Sequence, residues 1–174
     1  MEVTTQCDGT RGRTADFFLP LYGTTHCIYN SRKKSHTMFE FHRNERARQL
    51  RPSLSRSWLL VRANSTEEVF EEAFESEADS IIIDLEDGCP AEEKDAAREQ
   101  VVRMLNYGVV AWVRINAITT EHWWKDVKAL KNVKGLRGVM LATAEHATDI
   151  DRTAAELPPG TPIIALIDSA LGVH

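Results

Sequence analysis

Three carboxylates fall within four positions at Asp84, Glu86 and Asp87, and Gly88 follows them. Further along, Arg114 and Asn116 stand two apart, Ala142 and Thr143 precede Glu145, and Asp168 leads Ser169 and Gly172. Carboxylates brought to close range repel one another, and a divalent cation relieves that repulsion. Hard oxygen donors suit Mg²⁺, which keeps several waters and shares its shell with substrate. An arginine beside such an ion grips a carboxylate or thioester oxygen through paired donors. Together these parts suit the polarisation of a carbonyl and the stabilisation of an enolate. Acids after a strand also serve as solvated turn residues or helix caps, and spacing alone leaves both readings open.

The elements that position these residues follow from the period of the apolar positions. Strand-like runs occur at Trp58–Val61, Ile81–Leu85, Val109–Ile115, Gly138–Leu141 and Ile163–Ile167. Helical patterns lie between them. Ser65 with Glu68 reads as a capping box, followed by Val69, Phe70, Ala73 and Phe74 on one face. Pro90 suits a first helical position, Ala97, Val101, Met104 and Leu105 form a stripe, and Gly108 supplies the stop. Trp123, Val127 and Leu130 make a third stripe, and Ile150, Ala154 and Leu157 a fourth. Strands alternating with helices at this spacing imply βα units around a parallel sheet. The apolar runs IIIDL and PIIALI fit strands covered on both faces. In such sheets ligands bind at the carboxyl ends of the strands, where each residue named above falls.

Composition sets the class. The chain has 174 residues, 43% hydrophobic and 27% charged, with 9 Gly and 6 Pro, which sets aside collagen, low-complexity and disulfide-scaffold chains. No apolar run reaches the roughly 18 residues of a spanning helix, so no membrane partner is expected. Cys7, Cys27 and Cys89 lie at irregular spacing, and no secretory leader opens the chain, which favours a cytoplasmic compartment. The net charge of −5 argues against nucleic acid as a partner. That charge is uneven: residues 1–55 carry nine basic and five acidic residues, residues 56–174 twelve and twenty-one. The sequence thus divides into a basic extension over 1–55 and a periodic domain over 56–174. The extension lacks sustained apolar periodicity and is expected to be poorly ordered, with a short helix near 39–50. An organelle-targeting leader is an alternative that Glu2, Asp8 and Asp16 oppose. A start at Met38 is another. His26, Cys27, His36 and His42 match no zinc spacing.

The segments RSWLLVRANS, SIIIDLEDG, WVRIN, GVMLATAE and ALIDSALG, one per expected strand, resemble in order the citrate lyase beta subunit–like proteins of the HpcH/HpaI aldolase and malyl-CoA lyase superfamily. The resemblance covers about residues 56–173. It implies a (β/α)₈ TIM barrel that uses Mg²⁺ to cleave or form carbon–carbon bonds in CoA thioesters. Substrates of that family are citryl-, malyl- or citramalyl-CoA, which give acetyl-CoA, or its enolate, and a 2-oxo acid. On this resemblance Arg114 contacts substrate, Glu86 and Asp87 are the catalytic acidic pair, and Asp168 is a metal ligand at the edge of the substrate site. Glu145 matches the acid that follows the family's Pro-Lys.

Departures accompany the likeness. Arg62 stands at the family's proline after the first strand, Ala142-Thr143 at its Pro-Lys, and Asp168 at its glutamate, one methylene longer. The chain ends after the fifth expected strand, before the aspartate that completes the family's metal site. The fold class expected is therefore α/β, a partial TIM barrel of about five βα units. Open barrel edges favour a homo-oligomer or other association. Activity of the chain alone is expected to be weak or absent. Two further readings stand beside the lyase: a non-catalytic remnant or partner subunit, and a five-stranded receiver-type module. Among the remaining residues, one of Trp123 and Trp124 is expected inside, His122 and His146 at the surface, Cys89 in a turn, and Lys125, Lys128, Lys131 and Lys134 on a solvated face.

Overall fold

The structure, a computed structural model, describes residues 50–173. The chain divides into two units, Met1–Thr37 and Met38–His174, and every described residue belongs to the second. Five strands, β1 (Trp58–Arg62), β2 (Ser80–Asp84), β3 (Ala111–Ile115), β4 (Leu136–Leu141) and β5 (Ile163–Ala165), alternate with four α-helices. These are α1 (Glu67–Glu75), α2 (Lys94–Asn106), α3 (Glu121–Leu130) and α4 (Ala147–Glu156). The strands pair in parallel in the order β1-β2-β3-β4-β5. A right-handed crossover to the adjacent strand, repeated in one direction, lays every helix on the same face. That is how a barrel segment is wound. A receiver-type sheet instead reverses its order and carries helices on both faces, so that alternative does not describe this chain.

Side-chain parity along the strands confirms the arrangement. Val61, Ile81, Ile83, Val113, Ile115, Val139 and Leu141 join Phe70, Val101, Leu105, Val127 and Leu130 in one buried core. The alternate residues, Leu60, Ile82, Asp84, Trp112 and Arg114, lie on the opposite face, outside that core. There Trp58 meets Trp112 edge-on, with centroids 5.4 Å apart. Gly138, the register partner of Trp112, makes room for that ring: a Cβ on it would lie 2.4 Å from Trp112 Cζ3.

Local differences from the sequence reading have physical causes. The first helix starts one residue later than a Ser65 cap requires, with Thr66 as N-cap and no side-chain cap bond. Ser65 is already engaged: its N–H bonds Arg62 O at 3.1 Å and its carbonyl accepts Gln100 Nε2 at 3.0 Å. Pro90 precedes a short 3₁₀ turn, Ala91–Glu93, instead of opening α2. Gly108, at φ 111°, does end that helix. Val109 is buried but precedes β3. In α4 the inward residues include Asp149 and Thr153, whereas Ala154 is exposed. Strand β5 stops at Ala165 and is only half-buried, because no further strand pairs with it among the described residues. Pro52–Leu54 form a 3₁₀ turn and Ser55 Oγ hydrogen-bonds Ser80 Oγ at 2.7 Å, which ties this stretch to β2. The expectations for a short helix near 39–50 and for the histidines at 26, 36 and 42 lie outside the described residues, Leu50 apart. No described helix is long and apolar enough to cross a membrane.

Candidate active site

The carboxyl ends of β2 and β3 form one hydrogen-bonded unit. Asp84, the last residue of β2, is the register partner of Arg114 on β3. Arg114 Nε and Nη2 donate to Asp84 Oδ1 and Oδ2 at 2.7 and 2.6 Å. The N–H groups of Glu86 and Gly88 donate to the same two oxygens at 2.9 and 2.8 Å. A carboxylate has about four lone-pair sites, so Asp84 is saturated. Gly88 is required by this closeness, since a Cβ there would lie 2.4 Å from Asp84 Oδ2. Arg114 Nη1 pairs with Glu86 Oε2 at 3.3 Å. Two of the five guanidinium N–H groups are thus hydrogen-bonded to Asp84, and the Glu86 contact is an ion pair without a hydrogen bond. Hydrogen bonding to Asp84 holds Arg114 more firmly protonated than a free guanidinium. Burial pushes the Glu86 carboxyl above its usual range, against the lowering pull of an Asp87 hydrogen bond and of Arg114.

Beneath this unit runs a buried polar network that sequence reading missed. Lys94 Nζ donates to Leu85 O and Glu86 O at 2.6 Å each, and to Asn116 Oδ1 at 2.9 Å. Asn116 Nδ2 in turn reaches Leu85 O at 3.1 Å and Asp126 Oδ2 at 2.7 Å. Arg98 Nε closes the chain on Asp126 Oδ1 at 2.8 Å. All three ammonium donors are used, and they fix the backbone from which the Glu86 side chain leaves. The signal was available in the period: Lys94 and Arg98 lie on the Ala97–Val101–Leu105 face of α2, and Asp126 beside Trp123, Val127 and Leu130. A charge on an apolar stripe has to be paired within the fold.

The ends of β4 and β5 are linked more loosely. Thr143 takes a positive φ of 46°, an unusual conformation for a β-branched residue and one that gathers at functional sites. Glu145 Oε1 accepts Ser169 Oγ at 2.8 Å, and Ser169 Oγ accepts the Gly172 N–H at 3.1 Å. Asp149 Oδ2 accepts the N–H groups of Glu145 and His146 at 3.2 and 3.0 Å, which anchors the start of α4. Asp168 is exposed beyond β5, with no hydrogen bond or ion pair among the described residues. Asp87 is exposed as well.

A cleft of about 280 Å³ opens on the helix-free face, lined by Leu60, Arg62, Asp84, Asp87, Gly88 and Arg114. The structure thus brings Asp87 and Arg114 to one cleft and sets Glu86 beside Arg114, while neither Glu86 nor Asp168 is among the lining residues. Among the described residues no three potential metal-ligating side chains converge. These residues alone do not compose an Mg²⁺ shell. Cys89 is buried, its Sγ 3.7 Å from Pro90 O, and burial pushes its thiol pKa up. Trp123 is buried with Nε1 on Thr153 Oγ1 at 3.2 Å, whereas Trp124 is half exposed. Lys125 and Lys131 pair with Asp95 and Glu156 at 3.6 and 3.9 Å.

Comparison with known proteins fits this geometry. Among curated proteins, a (3S)-malyl-CoA thioesterase of Cereibacter sphaeroides is 34% identical over 119 residues, covering 66% of this chain and 41% of the relative. A citrate lyase subunit beta of Leuconostoc mesenteroides subsp. cremoris is 38% identical over 109 residues, 55% of this chain and 36% of that protein. The chain therefore spans about two-fifths of the length of the curated relatives it matches. Among solved structures, protein CitE of Mycobacterium tuberculosis in complex with magnesium, acetoacetate and coenzyme A superposes with a TM-score of 0.57 at 31% identity, over 68% of this chain and 42% of that one. The fold is thus the α/β arrangement of a partial TIM barrel, five parallel strands with four α-helices between them among the described residues. A family model matches residues 56–174, and the chain belongs to the HpcH/HpaI aldolase/citrate lyase family.

Proposed function

We propose that this chain carries the β1–β5 part of a Mg²⁺-dependent carbon–carbon lyase acting on a CoA thioester of the citryl-, malyl- or citramalyl-CoA type. The observation that carries the proposal is Arg114 at the lining of a cleft, charged, held by two hydrogen bonds to Asp84 and an ion pair with Glu86, with N–H donors beyond those two bonds. Those donors suit the carboxylate of a 2-oxo acid. In the cleavage direction the substrate hydroxyl loses its proton and the carbon–carbon bond breaks. The electron pair passes to the thioester as an enolate, whose carbon then takes up a proton. Glu86, with its raised affinity for a proton, and Asp87 are the proposed proton-transfer groups. Arg114 orients the acid half. Asp168 is the carboxylate proposed to take part in holding Mg²⁺, which would supply Lewis-acid charge there.

The test is incubation of the full chain with each thioester and Mg²⁺, while the released 2-oxo acid is followed by coupled reduction. Turnover that disappears in Arg114→Met supports the proposal. Turnover unchanged in that variant refutes the role of Arg114. One observation favours a second reading, a fold-retaining chain without catalysis: the described residues gather no metal shell. That reading predicts thioester binding without product.

A further inference from the structure

We propose that Arg62 is a specificity-determining residue that binds a second carboxylate, so that the cleft takes a dicarboxylic 2-oxo acid in preference to a monocarboxylic one. The inference rests on the 2-oxo acid reading of the site given above. Arg62 ends β1 in register with Asp84 and lines the same cleft as Arg114. Its side chain is exposed and has no hydrogen bond or ion pair among the described residues. The neighbouring carboxylate cannot occupy it, because both Asp84 oxygens already accept two bonds each. Glu86 Oε2 is drawn to Arg114. Of the lining acids only the exposed Asp87 remains.

The lining therefore holds donors that no acid accepts from: the Arg62 guanidinium, and the Arg114 N–H groups beyond the two on Asp84. Two arginines lining one cleft suit two planar acceptors. Gly88 keeps the wall between them bare, since a Cβ there would approach Arg62 Cγ to 3.2 Å. Leu60 supplies an apolar surface for the carbon chain that joins the two carboxylates. Asp87 opposes anion binding, but it is solvated, and screening weakens its effect across the cleft.

Calorimetric titration of the full chain with pyruvate and with oxaloacetate, Mg²⁺ present throughout, tests the assignment. Oxaloacetate is expected to bind about tenfold more tightly than pyruvate, the scale of one charge-assisted pair. Arg62→Met should bring the two affinities within about twofold by weakening oxaloacetate alone, and Arg62→Lys should restore part of the difference. Arg114→Met should weaken both acids. Because Arg62 is exposed, Arg62→Met should melt with the parent, which separates a lost contact from a lost fold. Equal affinities in the parent chain, or a tenfold preference surviving in Arg62→Met, would overturn the role of Arg62 and leave the lyase reading intact. Failure of both acids to bind the parent chain would overturn the lyase reading itself and this assignment with it.

Discussion

At the ends of β2 and β3, Asp84, Arg114 and Glu86 are held by opposite charges within 3.3 Å and by two backbone N–H groups. At the end of β5, Asp168 lies in solvent with no partner among the described residues. Both regions are rim segments of one parallel sheet, and both carry acids after a strand. The difference lies in what stands behind them. Behind the β2–β3 end is the Lys94–Asn116–Asp126–Arg98 network, which pins two carbonyls and an amide. Behind the β5 end the strand itself is short and half-buried. One half of the rim is thus preorganised by the described residues, which is what substrate orientation needs. The other half is free to be shaped by whatever ligand, ion or chain meets it.

The contrast predicts unequal costs. Asp84→Ala leaves the Arg114 charge buried beside one weaker partner and frees two N–H groups, so stability should fall by about 3–5 kcal/mol. Denaturant unfolding measures it, and a loss under 1 kcal/mol would remove the claim that this end is rigidly built. Lys94→Met keeps the length of the side chain and deletes three donors. Glu86 O and Asn116 Oδ1 lose their Lys94 partner while Leu85 O keeps Asn116, and the loss should be about 2–3 kcal/mol. Lys94→Met should also weaken thioester binding, although Lys94 does not line the cleft.

How much of this was legible in the sequence depends on what set each feature. The strands and two whole apolar stripes were readable because burial of alternate or every third-to-fourth residue drives them, and single exceptions, such as Val69, exposed on the first helix, do not blur the period. The convergence of Glu86, Asp87 and Arg114 was readable because a parallel sheet puts successive strand ends on one side. The fourth stripe was misread at Ala154 because an apolar residue was chosen where Asp149 and Thr153 face inward, Thr153 satisfied by Asp149 O at 2.7 Å. The saturation of Asp84 was not readable. It depends on two turn amides and on a guanidinium thirty residues away, a distance in space that no local period encodes.

A smaller effect comes from Glu86, whose carboxyl titrates above its ordinary 4.5 because burial disfavours its charge. The folded state therefore holds a proton that the unfolded state has released. Its contribution to stability is complete below that ordinary value and is lost as pH rises through the folded one. In a series of thermal melts across this window, Glu86→Gln should flatten the decline that the parent shows. An identical slope in both proteins would mean that Glu86 is not the group responsible.

Asp168→Ala carries the smallest expected change in stability and the sharpest contrast with Asp84. An exposed, unpartnered carboxylate removes little when it is lost, so unfolding should shift by no more than about 0.5 kcal/mol. Its proposed role is ligation, and one carboxylate with waters holds Mg²⁺ only weakly. Calorimetry of the full chain should therefore find at most roughly millimolar Mg²⁺ affinity, and none in Asp168→Ala. Submicromolar affinity would require ligands that the described residues do not bring together, and would equalise the two halves of the rim. A loss of stability comparable with that of Asp84→Ala would break the contrast from the other side, because it would show Asp168 held in place by the fold.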